Sequence, residues 1–195
     1  MILKKLKEAT KEQHEALESV VDVMNRMFNK EDYGKLLTKF YRFYSAMETA
    51  LPAGELGAAG FDIDERRKLP LLERDLTALG LLDQARAAAA VKPAVPAVDT
   101  AAKAFGAVYV MEGATLGGQV ITRHLRDHLG LSIEEGGAFF NSYGPMVGPM
   151  WKAFGETVTT FAEKHDLDDQ IVDSAKETFN SFRRSFEEEP LAVSN

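Results

Sequence analysis

Between Asp99 and about residue 129 the apolar positions keep a helical period, yet Gly113, Gly117 and Gly118 interrupt the run Tyr109-Val110-Met111-Glu112-Gly113-Ala114-Thr115-Leu116-Gly117-Gly118-Gln119. Each interior glycine costs about 0.8–1 kcal/mol relative to alanine, so something must offset about 2–3 kcal/mol of lost helix propensity. Gly113 and Gly117 are four positions apart and share a face, which leaves a flat strip of bare backbone. Two occupants suit such a strip: a second helix packed closely, with Ala107 and Ala114 assisting, or a flat ligand. The run is not a nucleotide cradle, because it lacks Gly-x-Gly-x-x-Gly, lacks the lysine-serine ending of a phosphate loop and follows no convincing strand.

The remaining periodic segments also read as helix. Residues ~2–28 line up Ile2, Leu6, Ala9, Gln13, Leu17 and Val20 or Val21 on one side, with lysine and glutamate elsewhere. A second helix is expected over ~31–51, with an aromatic stripe of Tyr33, Phe40, Phe43 and Tyr44 destined for the core and a stop near Pro52 and Gly54. Shorter helices follow at ~64–78 and ~81–90, and Pro93 and Pro96 then break the pattern. Asp99 is the expected N-cap of the glycine-interrupted helix, and further helices are expected at ~145–164 and ~168–189. Gly144, Pro145, Gly148 and Pro149 mark a turn beside Trp151, which serves as a core anchor. The fold class is all-α, a single-domain helical bundle over 1–189, with a disordered tail at 190–195.

Composition closes several routes. The chain has 195 residues, is 45% hydrophobic and carries a formal charge of −7, which gives it no general attraction for nucleic acid or anionic membranes. It contains no cysteine, which removes disulfides, thiolate nucleophiles, thiolate-ligated iron and covalent attachment of a haem. The opening Met1-Ile2-Leu3-Lys4-Lys5 turns charged before an apolar signal core develops, and no later stretch has the length of a membrane span. A cytoplasmic location is expected.

His14 is the main chemical candidate. If residues 2–28 are helical, Lys7 and His14 lie seven positions apart on nearly one face, about 10 Å along the axis. That spacing suits a haem, with the imidazole ligating iron and the ammonium meeting a propionate, a role Lys4 and Lys11 can share. The alternative is a solvated histidine on a charged face. His124 and His128 also share a helical face, but the stretch lacks the glutamate of His-Glu-x-x-His and they read as solvated. Arg183 and Arg184 read as surface charge.

Leu6 to His14 closely resembles the proximal-helix motif of the haem oxygenase family, and Tyr109 to Gly118 resembles the distal helix of its bacterial branch. The C-terminal helix, with Lys176, Phe179, Phe182 and Phe186, fits the same pattern, and the resemblance covers nearly the whole chain. It implies a fold that holds haem between the N-terminal helix and the glycine-interrupted distal helix. It further implies that His14 is the proximal iron ligand, that Gly113 and Gly117 are distal backbone contacts beside dioxygen, and that Lys7 and Tyr109 are propionate partners. The implied reaction opens haem oxidatively to biliverdin, carbon monoxide and ferrous iron. Dioxygen is its co-substrate, and electrons come from a donor such as a ferredoxin or a flavin-dependent NAD(P)H reductase. A biliverdin-accepting photoreceptor is an implied downstream partner. Ala114 departs from the mammalian-type pattern, in which an aspartate follows the first distal glycine and organises water. Glu112 is the nearest polar residue, but it points about 100° away from Gly113 on a helix and reads as a solvated or structural glutamate.

Other readings stand beside this one. A non-catalytic haem carrier or sensor would use the same His14 clamp. A di-iron bundle needs Glu-x-x-His, whereas the residues three before each histidine are Lys11, Ile121, Leu125 and Ala162. A purely structural bundle would bind no haem.

Overall fold

The computed structural model describes residues 2–27 and 29–188, and all regular structure among them is helical. The expected tail at 190–195 lies outside the described residues. The N-terminal segment is not one helix. It divides into α1 (Ile2–Ala9), α2 (Lys11–Val21) and α3 (Val23–Arg26). At the first break the Thr10 hydroxyl donates to the Leu6 carbonyl at 2.8 Å, a back-bond that bends helices. At the second, Asp22 takes φ 36° and ψ 51° and closes α2 in the left-handed region.

The helix α4 (Lys30–Ala50) starts where Asn29 accepts from the Asp32 amide at 2.9 Å, and its aromatic stripe is buried as expected. It is followed by α5 (Ala53–Ala58), a 3-10 turn at Asp64–Arg66, α6 (Leu69–Ala78) and α7 (Leu82–Ala89). Next comes α8 (Ala101–Gly113). Its N-cap is Thr100, not Asp99: Thr100 accepts from the Lys103 amide at 3.3 Å, while the Asp99 carboxylate pairs with Lys103 Nζ at 2.8 Å. Beyond α8 the chain continues as a 3-10 stretch Ala114–Gly117, then α9 (Gly118–His124) and a π-helical turn Leu125–Leu129. Gly130 ends the run in the left-handed region. A second π-type turn at Ile133–Gly137 and α10 (Ala138–Asn141) carry no clear periodicity in the sequence. The chain closes with α11 (Val147–His165) and α12 (Asp168–Glu187).

The core is organised around α8, which is buried on nearly all sides, with α12 laid along it. The two approach at backbone distance, because a Cβ on Gly106 would collide with the Ile171 carbonyl oxygen. On its other flank α12 meets α4, where Phe43 and Phe182 stack at 3.9 Å with planes 4° apart. The helix α2 also rests on α12, so α12 connects the segment bearing His14 to the glycine-interrupted one.

Candidate functional site

His14 sits on α2 with 53% of its side chain exposed. Its ring meets Phe179 of α12 edge-on at 5.5 Å, and Glu18, one turn later, places Oε2 3.6 Å from Nδ1. A carboxylate on the Nδ1 side favours the tautomer that carries its proton there and leaves Nε2 free as a ligand atom. The spacing His-x-x-x-Glu was a legible signal for this partner.

From Phe179 a line of rings leads to the glycines. Tyr109 lies 6.4 Å from Phe179 and 5.8 Å from Trp151, and the Trp151 ring edge would stand 3.9 Å from a Cβ on Gly113. Tyr109, Gly113 and Gly117 follow at successive intervals of four and share a face. Tyr109 is half-buried; burial pushes its phenol up, partly countered by the nearby Thr10 hydroxyl at the α1–α2 bend. The structure thereby brings Tyr109 and Gly113 into one neighbourhood with His14. Lys7 is exposed on α1. Its neighbours Lys4 and Lys11 form i,i+4 pairs with Glu8 and Glu15, and Lys7 has no ion-pair partner among the described residues.

The glycines divide into two kinds. Gly118 is a packing glycine: a Cβ there would collide with the Phe140 carbonyl oxygen of α10. Gly117 faces open space, with nothing within 4 Å of a Cβ, and Gly113 meets only the Trp151 ring. Close helix packing therefore accounts for Gly118 but leaves Gly113 and Gly117 unexplained. Large apolar side chains are exposed beside the open strip: Leu116 at 49%, Val120 at 64% and, on α3 packed against α9, Met24 at 41%. An exposed imidazole, a bare backbone strip and an exposed apolar rim fit a flat, largely apolar ring with a metal at its centre.

Glu112 is not solvated. It is 2% exposed, and its carboxylate receives Arg66 Nη1 at 2.7 Å, Lys68 Nζ at 3.0 Å and the Tyr143 hydroxyl at 2.6 Å. Lys68 Nζ also donates to the Arg66 carbonyl and to the Tyr143 oxygen at 2.6 Å, so all three ammonium protons have acceptors. Burial lowers the Lys68 pKa and is opposed by the charge of Glu112. Nothing in the sequence pairs position 68 with 112 or 143, and this cluster was not foreseen.

Among the described residues none of the other histidines has a ring contact with Phe179, Tyr109 or Trp151, and His165 rests against Phe161 at 4.6 Å. His124 and His128 stack at 4.1 Å, with His128 exposed. Arg183 is 3.8 Å from Glu187, Arg184 is exposed, and Trp151 packs on Phe154 at 5.4 Å as the expected anchor.

Fold and site residues together define an all-helical protein in which the exposed His14 and a strip of bare backbone lie near an apolar rim. The family model described as "Heme oxygenase" matches residues 1–188, and the chain belongs to the haem oxygenase family. A heme oxygenase of Xanthomonas campestris pv. campestris (strain 8004) is 36% identical over 96 residues, covering 49% of this chain and 54% of that protein, so the match spans about half of the relative's length. The fold is shared with the NO- and CO-bound heme oxygenase of Neisseria meningitidis, at TM-score 0.79 and 22% identity over 98% of this chain and 95% of that one. It is also shared with heme oxygenase 2 of Chlamydomonas reinhardtii, crystallised without heme, at TM-score 0.70 and 20% identity over 99% of each chain. Among the described residues no helix is long and apolar enough to cross a membrane.

Proposed function

We propose that this protein binds haem between α2 and the Gly113–Gly117 strip and opens it oxidatively to biliverdin, carbon monoxide and ferrous iron, with dioxygen as co-substrate. The observation that carries this reading is the pairing of an exposed His14, with the Glu18 carboxylate nearby, and a glycine strip that is open at Gly117 and meets only the Trp151 ring at Gly113. Bound haem supplies the iron that reacts with dioxygen and is itself the molecule consumed.

The chain's own residues hold and orient it. His14 Nε2 is the ligand atom, and the Glu18 carboxylate near Nδ1 favours the proton on that side. Lys7 is free to meet a propionate, and the Tyr109 hydroxyl is a second polar anchor for the ring edge. Gly113 and Gly117 allow backbone to approach the ring closely, and Leu116, Val120 and Met24 exclude water from its apolar periphery. Ala114 offers no carboxylate, and Glu112 is saturated by three donors, so protons reach the site through ordered solvent rather than from either side chain. Electrons come from a separate donor, such as a ferredoxin or a flavin-dependent NAD(P)H reductase. A cytoplasmic location suits such a donor, and a photoreceptor is a fitting acceptor for the pigment.

The test is to mix purified protein with haemin, add an electron source under air with catalase present, and follow absorbance, product chromatography and carbon monoxide. The expected outcome is a Soret band that decays to a biliverdin spectrum. Stable haem under competent reduction would overturn the reaction and leave the carrier or sensor reading. No Soret change on adding haemin would overturn both.

A further inference from the structure

The strip Gly113–Gly117 is open at Gly117 and meets only the Trp151 ring at Gly113, yet it is held at both ends. At one end stands Glu112, whose carboxylate gathers donors from the 66–68 segment and from Tyr143, and whose carbonyl accepts the Thr115 hydroxyl at 2.7 Å. Glu112 stands two residues before the α-helix gives way to the 3-10 stretch at Ala114. At the other end stands Gly118, seated against the Phe140 carbonyl of α10. That short helix is in turn fixed by Asp75 of α6. The Asp75 carboxylate is fully buried and accepts the Ala138 and Phe139 amides at 2.8 and 2.7 Å, one on each oxygen.

We propose that Glu112 and Asp75 are positioning residues: two buried carboxylates that touch neither His14 nor the open strip fix its two ends and keep its bare backbone in the receiving geometry. A buried charged cluster adds little net stability compared with apolar packing of the same volume, but it admits few alternative arrangements. A segment that carries two glycines and must stay accessible needs its shape imposed from outside, because it has few side chains of its own to do so. The proposal rests on the haem reading for what the strip receives, not for how it is held.

The experiment compares Glu112→Gln, Tyr143→Phe and Asp75→Asn with the unaltered protein. Hydrogen exchange is read by mass spectrometry without haem, and haem and azide affinities are read from the Soret band of the ferric complex. Azide reports the side opposite His14. The expected result is exchange over residues 113–118 faster by about tenfold, with residues 101–109 and α12 unchanged. Azide affinity should shift by about threefold or more while haem affinity stays within about twofold, a split that a general loss of stability would not produce. Unchanged exchange over 113–118 in both Glu112→Gln and Tyr143→Phe would overturn the role of Glu112, and unchanged exchange in Asp75→Asn would overturn that of Asp75. If Glu112→Gln fails to fold, Tyr143→Phe, which removes one hydroxyl and creates no charge, decides for that end. Failure of the unaltered protein to take up haem would overturn the haem reading, and exchange in the haem-free protein would still decide the two positioning roles.

Discussion

The Lys68 ammonium and the Glu112 carboxylate lie 3.0 Å apart, each side chain no more than 3% exposed, directly before the first glycine of the open strip. Removing the cation alone leaves an acid buried with Arg66 as its remaining positive partner. Lys68→Met should therefore lower unfolding free energy by about 3 kcal/mol, read by urea denaturation. A loss under about 1 kcal/mol would show that the pair contributes little beyond its volume.

His14→Ala should retain part of the haem through apolar contacts but lose the native axial-ligand spectrum. Added imidazole should restore some of that spectrum and of the turnover. An unaltered ligand-field spectrum would show that another residue holds the iron. His124→Ala and His128→Ala are the matched controls and should leave the spectrum unchanged.

Gly117 and Gly118 are neighbours that should respond oppositely. Gly117→Leu places its side chain in open space and should leave the haem-free protein as stable or more stable, by up to about 1 kcal/mol. It should nevertheless suppress biliverdin formation with haem still bound through His14. Gly118→Ala drives a methyl into the Phe140 carbonyl and should cost about 2 kcal/mol or more in the haem-free protein. Thermal melts of both variants, paired with product chromatography of the first, check this.

Burial raises the Asp75 carboxyl to about 6, although the amides of Phe139 and Ala138 pull it back. The folded state thus holds this proton more tightly than the unfolded chain does. The stability that follows is complete below the ordinary carboxyl range and is lost as pH rises through about 6. Between about pH 5 and pH 7 the unaltered protein should lose about 1 kcal/mol through this group, and Asp75→Asn should not show that loss. Parallel denaturation curves at the two pH values give the difference directly.

Much was legible in sequence because it depends on local periodicity. The aromatic stripe of α4 sits on one face of a 21-residue helix, and its burial follows from that face alone. His14 followed by Glu18, and Gly113 followed by Gly117, are spacings of four that place pairs of groups together wherever the helix goes. Helix ends were less legible. Thr10 and Asp22 break the first segment through a hydroxyl back-bond and a left-handed residue, two events that leave the apolar pattern intact.

What the chain's order by itself determined is the all-helical class, the core faces, the histidine and the bare backbone strip. What the tertiary structure decided is which glycines are free. Gly117 and Gly118 are adjacent and chemically identical, and only the approach of Phe140 from α10 makes one a contact and leaves the other open. The same holds for Glu112, whose burial depends on Arg66, Lys68 and Tyr143 arriving from 46, 44 and 31 residues away. Periodicity describes one helix at a time, whereas a buried charge or a forbidden Cβ is a property of two segments meeting. Such meetings are set by packing the whole chain.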